Sequence, residues 1–275
     1  KKLESGVKKK SANKLAKENG CSARTMRRVI HDDLGLKTYK LIEVSSLSPE
    51  QMEKRFAFAN WLRKNFDHLS CRKICFSDEK MFDGDGQLNP RNDVVFAADR
   101  ESANQNGGLH TRKKFPLKVM VWCMVSWNGP SEVVVLPPKT SFDSDFYVNN
   151  VLPVIQKECS RLLKKDFVFQ QDGATCHTAN KTVQALKERN IPFIEADRWP
   201  PNSPDLNPLD YFFWNEVARR VKEKKPIGRE DLIKKIKQSV TEIPKKMIQD
   251  SIKKFRSRVH AVEKNRGGHI IDKFQ

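Results

Sequence analysis

The chain has 275 residues, of which 38% are hydrophobic, including 16 Phe and 5 Trp. A polar mean hydropathy of −0.66 with that many large apolar residues excludes a wholly disordered chain and allows one or two domains of ~100–200 residues. Its longest apolar stretch, Val119 to Trp127, falls short of the ~20 residues of a membrane-spanning helix. A net charge of +18 and a pI near 9.7 point to a polyanionic partner.

The charge is uneven. Residues 1–40 hold 12 basic and 4 acidic residues, residues 219–275 hold 18 and 7, and the centre is close to neutral. The chain opens on Lys1, carries no charged-then-apolar signal segment, and reads as a piece of a longer protein. Its six cysteines form no CxxC pair, and Cys71 and Cys75 have no matching His pair, so they read as ordinary thiols of a reducing compartment.

In chain order, residues 11–35 predict two short helices. Ser11 caps the first and Asn19-Gly20 ends it; Ser22 caps a second, with Met26, Val29 and Ile30 on its apolar face. The other face of the second helix shows Arg24, Thr25, Arg27, Arg28 and His31, behind a basic run of Lys8, Lys9 and Lys10. A helix, a tight Gly-containing turn and a basic second helix make a helix-turn-helix pattern over 1–45, with Ser22, Arg24, Thr25, Arg27, Arg28 and His31 as candidate DNA contacts. Ser48-Pro49-Glu50-Gln51 is a capping box opening a connector helix, within 46–70.

From residue 71 the periodicity changes. Short strands are expected over 73–77, 117–127, 132–136, 167–171 and 191–194, and helices over 143–163, 178–189 and from about Leu209 onward. Residues 83–116 read as a polar insertion containing Arg91, Arg112, Lys113 and Lys114, and 198–208 as a proline-rich loop. The pattern predicts an α/β domain over 71–275, with both faces of its sheet covered and basic helices at its C-terminal end.

Asp78 follows the first strand, Asp172 follows the strand Phe167-Val168-Phe169, and Asp210 opens a helix after the proline-rich loop. Sites in α/β folds gather at such strand ends. Any one of these acids alone reads as a turn or cap residue. Together they call for a hard divalent cation, and two such ions ~3.5–4 Å apart clamp the attacking and leaving oxygens of a phosphoryl displacement. Glu79 alternates to the other face of its strand. His177 either orients substrate or water or makes a local hydrogen bond at a helix start. Trp199 and Trp214 read as core or loop-packing residues.

Three blocks resemble the catalytic blocks of the mariner-superfamily DNA transposases: Phe76-Ser77-Asp78-Glu79; Gln170-Gln171-Asp172-Gly173-Ala174-Thr175-Cys176-His177; and Ser203-Pro204-Asp205-Leu206-Asn207-Pro208-Leu209-Asp210-Tyr211. Residues 11–40 resemble the second helix-turn-helix of the same family, whose first unit this chain has no room for. The resemblance implies an RNase H-like catalytic domain and two Mg²⁺ ions, with Mn²⁺ substituting, held by Asp78, Asp172 and Asp210. It also implies cleavage of double-stranded DNA at transposon inverted repeats, strand transfer into TA sites, a homodimer on DNA and action in the nucleus. In the family motif the later acid is the metal ligand, which selects Asp210 over Asp205. The second gap then holds 37 residues, longer than the usual mariner gap. Two other readings are a transposase-derived DNA-binding protein without catalysis and a nuclease of the same fold with a different role.

Overall fold

The computed structural model of the chain describes residues 11–37, 44–84, 94–109, 114, 116–164 and 166–270. Lys8, Lys9, Lys10, Arg91, Arg112 and Lys113 lie outside them. The chain divides into two compact units, 1–45 and 46–275.

In the first unit, α1 (Ala12–Glu18) starts where the Ser11 hydroxyl accepts from the Lys14 N–H, and α2 (Ala23–Arg28) where Ser22 accepts from the Thr25 N–H. Each cap satisfies one of the donors a helix start leaves unpaired. Gly20 makes the turn between them at φ +62°, a conformation cheap only for glycine. Leu15, Ala16 and Met26 form a small core, with Ala12, Cys21, Ala23 and Ile30 against it. The second helix continues in a widened turn over Val29–Asp33.

In the second unit, the capping box of Ser48 and Gln51 forms at both of its bonds and opens α3 (Pro49–Asn65). The sheet is built on β1 (Ile74–Asp83), which pairs antiparallel with β2 (Lys118–Ser126) and parallel with β5 (Val168–Gln170). Two short strands, β3 (Gly129–Pro130) and β4 (Val134–Val135), cover the far edge of β2. The helices that follow are α4 (Leu152–Leu163), α5 (Asn180–Glu188), α6 (Trp214–Glu223), α7 (Gly228–Thr241) and α8 (Lys245–Lys264). This is a mixed sheet flanked by helices, the α/β RNase H-like architecture.

Strand alternation makes two cores. Ile74 and Phe76 of β1 and Val121, Cys123 and Val125 of β2 face one core, shared with residues of α3, α6, α7 and α8. Cys75, Trp122 and Met124 face the other, shared with α4, α5 and Phe169. Each large side chain so buried stabilises by about 1.5–3 kcal/mol.

Three expectations need correction. β1 does not end at Ser77 but runs to Asp83, because β2 pairs with it through Asp83↔Lys118. The expected strand over 132–136 shrinks to Val134–Val135, where the register to Val121 and Trp122 holds. The expected strand over 191–194 is a single bridge from Phe193 to Phe169. In the polar insertion, the described residues include a short helix, Arg100–Ala103, and expose Val94, Val95, Phe96 and Leu109.

Residues 266–268 pass tightly beside α3. Gly267 lies at φ +85°, and a Cβ there would overlap the Met52 backbone carbonyl. Gly267→Ala therefore combines a strained backbone with a main-chain clash and should destabilise the chain by at least about 2 kcal/mol in urea denaturation.

Candidate active site

Asp78 lies in β1, on the same face as Ile74 and Phe76. The parallel ladder with β5 ends at Phe76↔Gln170, so Asp78 stands just beyond it and Asp172 just beyond the end of β5. Asp210 lies on the first turn of helix after Pro208, where its N–H bonds to the Asn207 carbonyl at 3.0 Å. Proline fixes that entry because its φ already suits a helix start.

The Asp78 and Asp210 carboxyls lie close enough for each to act on the other's ionisation. The indole Nε1 of Trp214 donates to Asp78 Oδ2 at 2.7 Å. Burial pushes the Asp78 carboxyl up to about 8, helped by the charges of Asp210 and Glu79 and opposed by the Trp214 bond. Burial also raises Asp210, to about 6, against the nearby positive charge of Lys80. Two neighbouring carboxyls in a partly dry site cannot both ionise cheaply, so ionisation of the pair is pushed to higher pH.

Asp172 is arranged differently. Its Oδ1 accepts from the Ala174 N–H at 3.0 Å and contacts His177 Nδ1 at 2.7 Å. Burial opposes ionisation, but the His177 bond and charge outweigh it and hold this carboxyl below its ordinary range. His177 is buried. Its Nε2 lies 3.4 Å from Glu79 Oε1, close enough for an ion pair but without hydrogen-bond alignment. Burial disfavours the imidazolium, yet the bond to Asp172 and the neighbouring Cys176 and Glu79 win and lift its pKa to about 12. Tyr147 packs its ring on His177 at 4.7 Å and donates its hydroxyl to Gln171. Of the two roles open to His177, the local bond to Asp172 is the one formed.

Asp78 and Asp210 are thus brought together, and Asp172 is near enough for its charge to act on Asp210. Among the described residues, no three acid, His or Cys side chains converge as a ready-made metal cage, because Asp172 is turned onto His177 and Ala174. The donors themselves fit a hard divalent cation: they are carboxylate oxygens, and two of them repel each other where little water reaches.

Asp205, the competing third acid, lies elsewhere. Arg55 of α3, itself fully buried, grips it with both prongs: Nη1 to Oδ1 at 2.8 Å and Nη2 to Oδ2 at 2.6 Å. The same guanidinium donates to Ser203 Oγ at 2.7 Å and to the Gly267 carbonyl at 2.7 Å. Arg258 of α8 donates to the Asp205 carbonyl and lies over the Tyr211 ring.

Sequence reasoning missed Trp214, Arg55 and Asn207. Trp214 had a signal, since four residues after Asp210 is the same helix face. Arg55 had none, because its partners lie 150 or more residues away in several cases. Trp199 packs edge-on against Phe58, as a core residue.

In the first unit, Arg24, Thr25, Arg27, Arg28 and His31 are exposed along one helix. Ser22 spends its hydroxyl on the α2 cap and a bond to Thr25. His31 Nδ1 contacts the Leu36 carbonyl, and Arg27 donates to Asn13.

A mixed sheet flanked by helices, with acids at neighbouring strand ends and a third on an entering helix, is the RNase H-like fold. No protein-family model matches the chain. The Tc3 transposase of Caenorhabditis elegans is 31% identical over 208 residues, 73% of this chain and 56% of that protein. The Tcb2 transposase of Caenorhabditis briggsae is 29% identical over 213 residues, 73% of this chain and 70% of that protein. The C. elegans Tc1 transposase is 28% identical over 209 residues, 73% of this chain and 70% of that protein. The Mos1 mariner paired-end complex with Mn superposes at a TM-score of 0.77 with 18% identity, covering 95% of this chain and 75% of that one. The Mos1 catalytic domain superposes at 0.64 with 18% identity, covering 83% of this chain and all of that one. The chain is related in sequence to the Tc1 and Tc3 transposases and has the fold of the Mos1 transposase. It spans little more than half the length of the Tc3 transposase.

The raised Asp78 and Asp210 values have a stability consequence. The unfolded chain releases these protons near pH 4, the folded chain only toward pH 6–8. The unfolded state therefore binds fewer protons in that window, and the pair's contribution to stability falls as pH rises through it. In metal-free buffer, Asp78→Asn should be more stable than the parent chain by ~1–3 kcal/mol at pH 8, with the gap shrinking toward pH 4. Thermal denaturation of both at pH 4.5 and pH 8 measures this.

Proposed function

We propose that the chain is the DNA-cleaving and strand-transferring part of a cut-and-paste transposase, a polynucleotidyl transferase acting on double-stranded DNA. The observation that supports this best is the half-buried, neighbouring pair Asp78 and Asp210, whose carboxyls both resist ionisation, with Asp172 beside it. Such an arrangement costs stability, and groups shifted this far by burial and a like charge are typical of catalytic positions.

On this reading Asp78, Asp172 and Asp210 hold Mg²⁺ or Mn²⁺, two ions per site. When bound, the metal neutralises phosphate charge and makes water or a 3′-hydroxyl more nucleophilic at neutral pH. The protein's residues do the rest. Asp78 and Asp210 would hold the metal as ionised carboxylates, the form that burial and their mutual repulsion disfavour without it. Trp214 keeps the Asp78 carboxyl oriented. Asp172 is kept ionised by His177 and the Ala174 N–H, and it joins the other two by a side-chain rotation. Water cleaves the DNA at the inverted-repeat ends in the first step, releasing a 3′-hydroxyl. In the second step that hydroxyl attacks a target phosphodiester at a TA dinucleotide, and the oxygen of the broken bond leaves with a proton. Mos1 structures that share this fold include a paired-end complex with the left transposon end, a strand transfer complex, and paired-end complexes with Mg and with Mn.

Residues 1–45 are the DNA-reading unit, with Arg24, Thr25, Arg27, Arg28 and His31 toward DNA, and residues 71–275 the catalytic body. The active form is a homodimer on DNA, a reading supported by the exposed Val94, Val95, Phe96 and Leu109 of the insertion. It works in the nucleus.

A plasmid-nicking assay in Mn²⁺ tests the chemistry. The parent chain should cut, and Asp78→Asn, Asp172→Asn and Asp210→Ala should each lose at least ~10³-fold. Mn²⁺ should raise the melting temperature of the parent but not of Asp78→Asn. A folded chain that binds DNA and never cuts would favour the non-catalytic DNA-binding reading. The DNA-reading unit is tested by salt. Changing Arg24, Arg27 and Arg28 together to Ala should weaken DNA binding and reduce the slope of log K against log [salt] by about 2–3.

A further inference from the structure

Asp210 sits on the first turn of its helix, so the loop entering that helix decides where its carboxyl goes. That loop, 199–208, contains Pro200, Pro201, Pro204 and Pro208. Prolines cannot donate to a backbone ladder, and side chains anchor the loop instead, at two points.

The first anchor is Arg55, which holds Asp205 and Ser203 while also bonding the Gly267 carbonyl. The second is Asn207, which is 4% exposed. Its Nδ2 donates to the Ser77 carbonyl at 3.1 Å, 130 residues away, on the peptide that links Ser77 to Asp78. Its Oδ1 accepts from the Leu209 N–H at 3.1 Å. Its own carbonyl accepts from the Asp210 N–H at 3.0 Å. One residue therefore bonds both to the strand that carries Asp78 and to the turn that carries Asp210.

We propose that Asn207 and Arg55 are positioning residues for the acid pair. Asn207 sets the spacing between Asp78 and Asp210, and Arg55 holds the loop from the far side, which makes helix α3 a working part of the catalytic unit. Neither touches the reacting atoms. Asp205 serves this latch and is not a metal ligand. The proposal rests on the transposase reading only for its effect on rate; the latch is a property of the fold.

The physical warrant is the steepness of catalysis in position: a displacement of ~1 Å costs on the order of 10²-fold in rate. Without Nδ2, the loop keeps its prolines and its Arg55 hold but loses its only bond to the Ser77 carbonyl among the described residues.

The experiment uses the full chain and three measurements: plasmid nicking in Mn²⁺ with kcat separated from KM, melting temperature in EDTA, and hydrogen exchange over 203–213. Asn207→Ala and Arg55→Lys should each lower kcat by ~50–100-fold with KM for plasmid within about twofold. Lysine keeps the charge of Arg55 but not its two-pronged grip. Melting temperature should fall by no more than ~5 °C. Exchange should quicken over 209–213. A folded Asn207→Ala with the parent's kcat overturns the proposal. Should Asn207→Ala fail to fold, Asn207→Asp replaces it, keeping the acceptor for Leu209 and losing the donor to Ser77. If the parent chain itself never cuts, the transposase reading fails, and exchange decides the latch. Faster exchange in the variant at an equal melting temperature sustains it, and unchanged exchange overturns it.

Discussion

Two carboxyls that repel each other, Asp78 and Asp210, are held close together in a partly buried site, and much of the surrounding structure offsets that cost. Left to itself, a loop carrying Asp210 would move its charge into solvent. It stays because the proline-rich loop is pinned by Arg55 on one side and Asn207 on the other. Trp214, anchored in the larger core, supplies a donor to Asp78. Buried ion pairs such as Arg55–Asp205 are weak sources of net stability, since desolvation cancels much of their attraction. Their value here is geometric: a two-pronged guanidinium allows one arrangement of the loop.

β1 divides the chemistry between its two faces. Asp78 is turned toward the core shared with α3, α6, α7 and α8. Glu79 is turned toward His177 and the core shared with α4 and α5. The first face holds a carboxyl pair that resists ionisation. The second holds a histidine between two carboxylates, which keeps Asp172 ionised. The site therefore combines acids poised in opposite senses, two that resist ionisation and one whose ionised form is favoured. That contrast follows from which polar partners each strand face supplies, not from a difference in side-chain type.

The two units carry charge differently. The small unit displays arginines on the outer face of a short helix, and among the described residues its core is Leu15, Ala16 and Met26. The basic residues of the large unit's last helices are partly spent on structure: Arg258 on the loop carbonyl of Asp205, Arg256 on the Phe66 carbonyl, and Lys246 on Asp250. A net charge read from composition thus overstates the charge free to meet DNA.

Local features were legible in the sequence because local physics makes them. The Ser48 capping box, the Ser11 and Ser22 caps, the Gly20 turn, the long strand β2 and the helical runs all rest on bonds or periodicities spanning a few residues. The alternation that turns Glu79 away from Asp78 was legible on the same grounds, whereas the choice of Asp210 over Asp205 came from the resemblance to the mariner blocks. The length of β1 was not, since its second half exists through pairing with β2 some forty residues on. Nor was the place of Asp205 or of Trp214 in the site. The sequence alone determined which residue types stand at strand ends and helix starts. Only the tertiary structure decided which of them meet, because Arg55, Ser203, Asp205 and Gly267, or Ser77 and Asn207, become neighbours only when distant segments pack, and no local pattern encodes that contact.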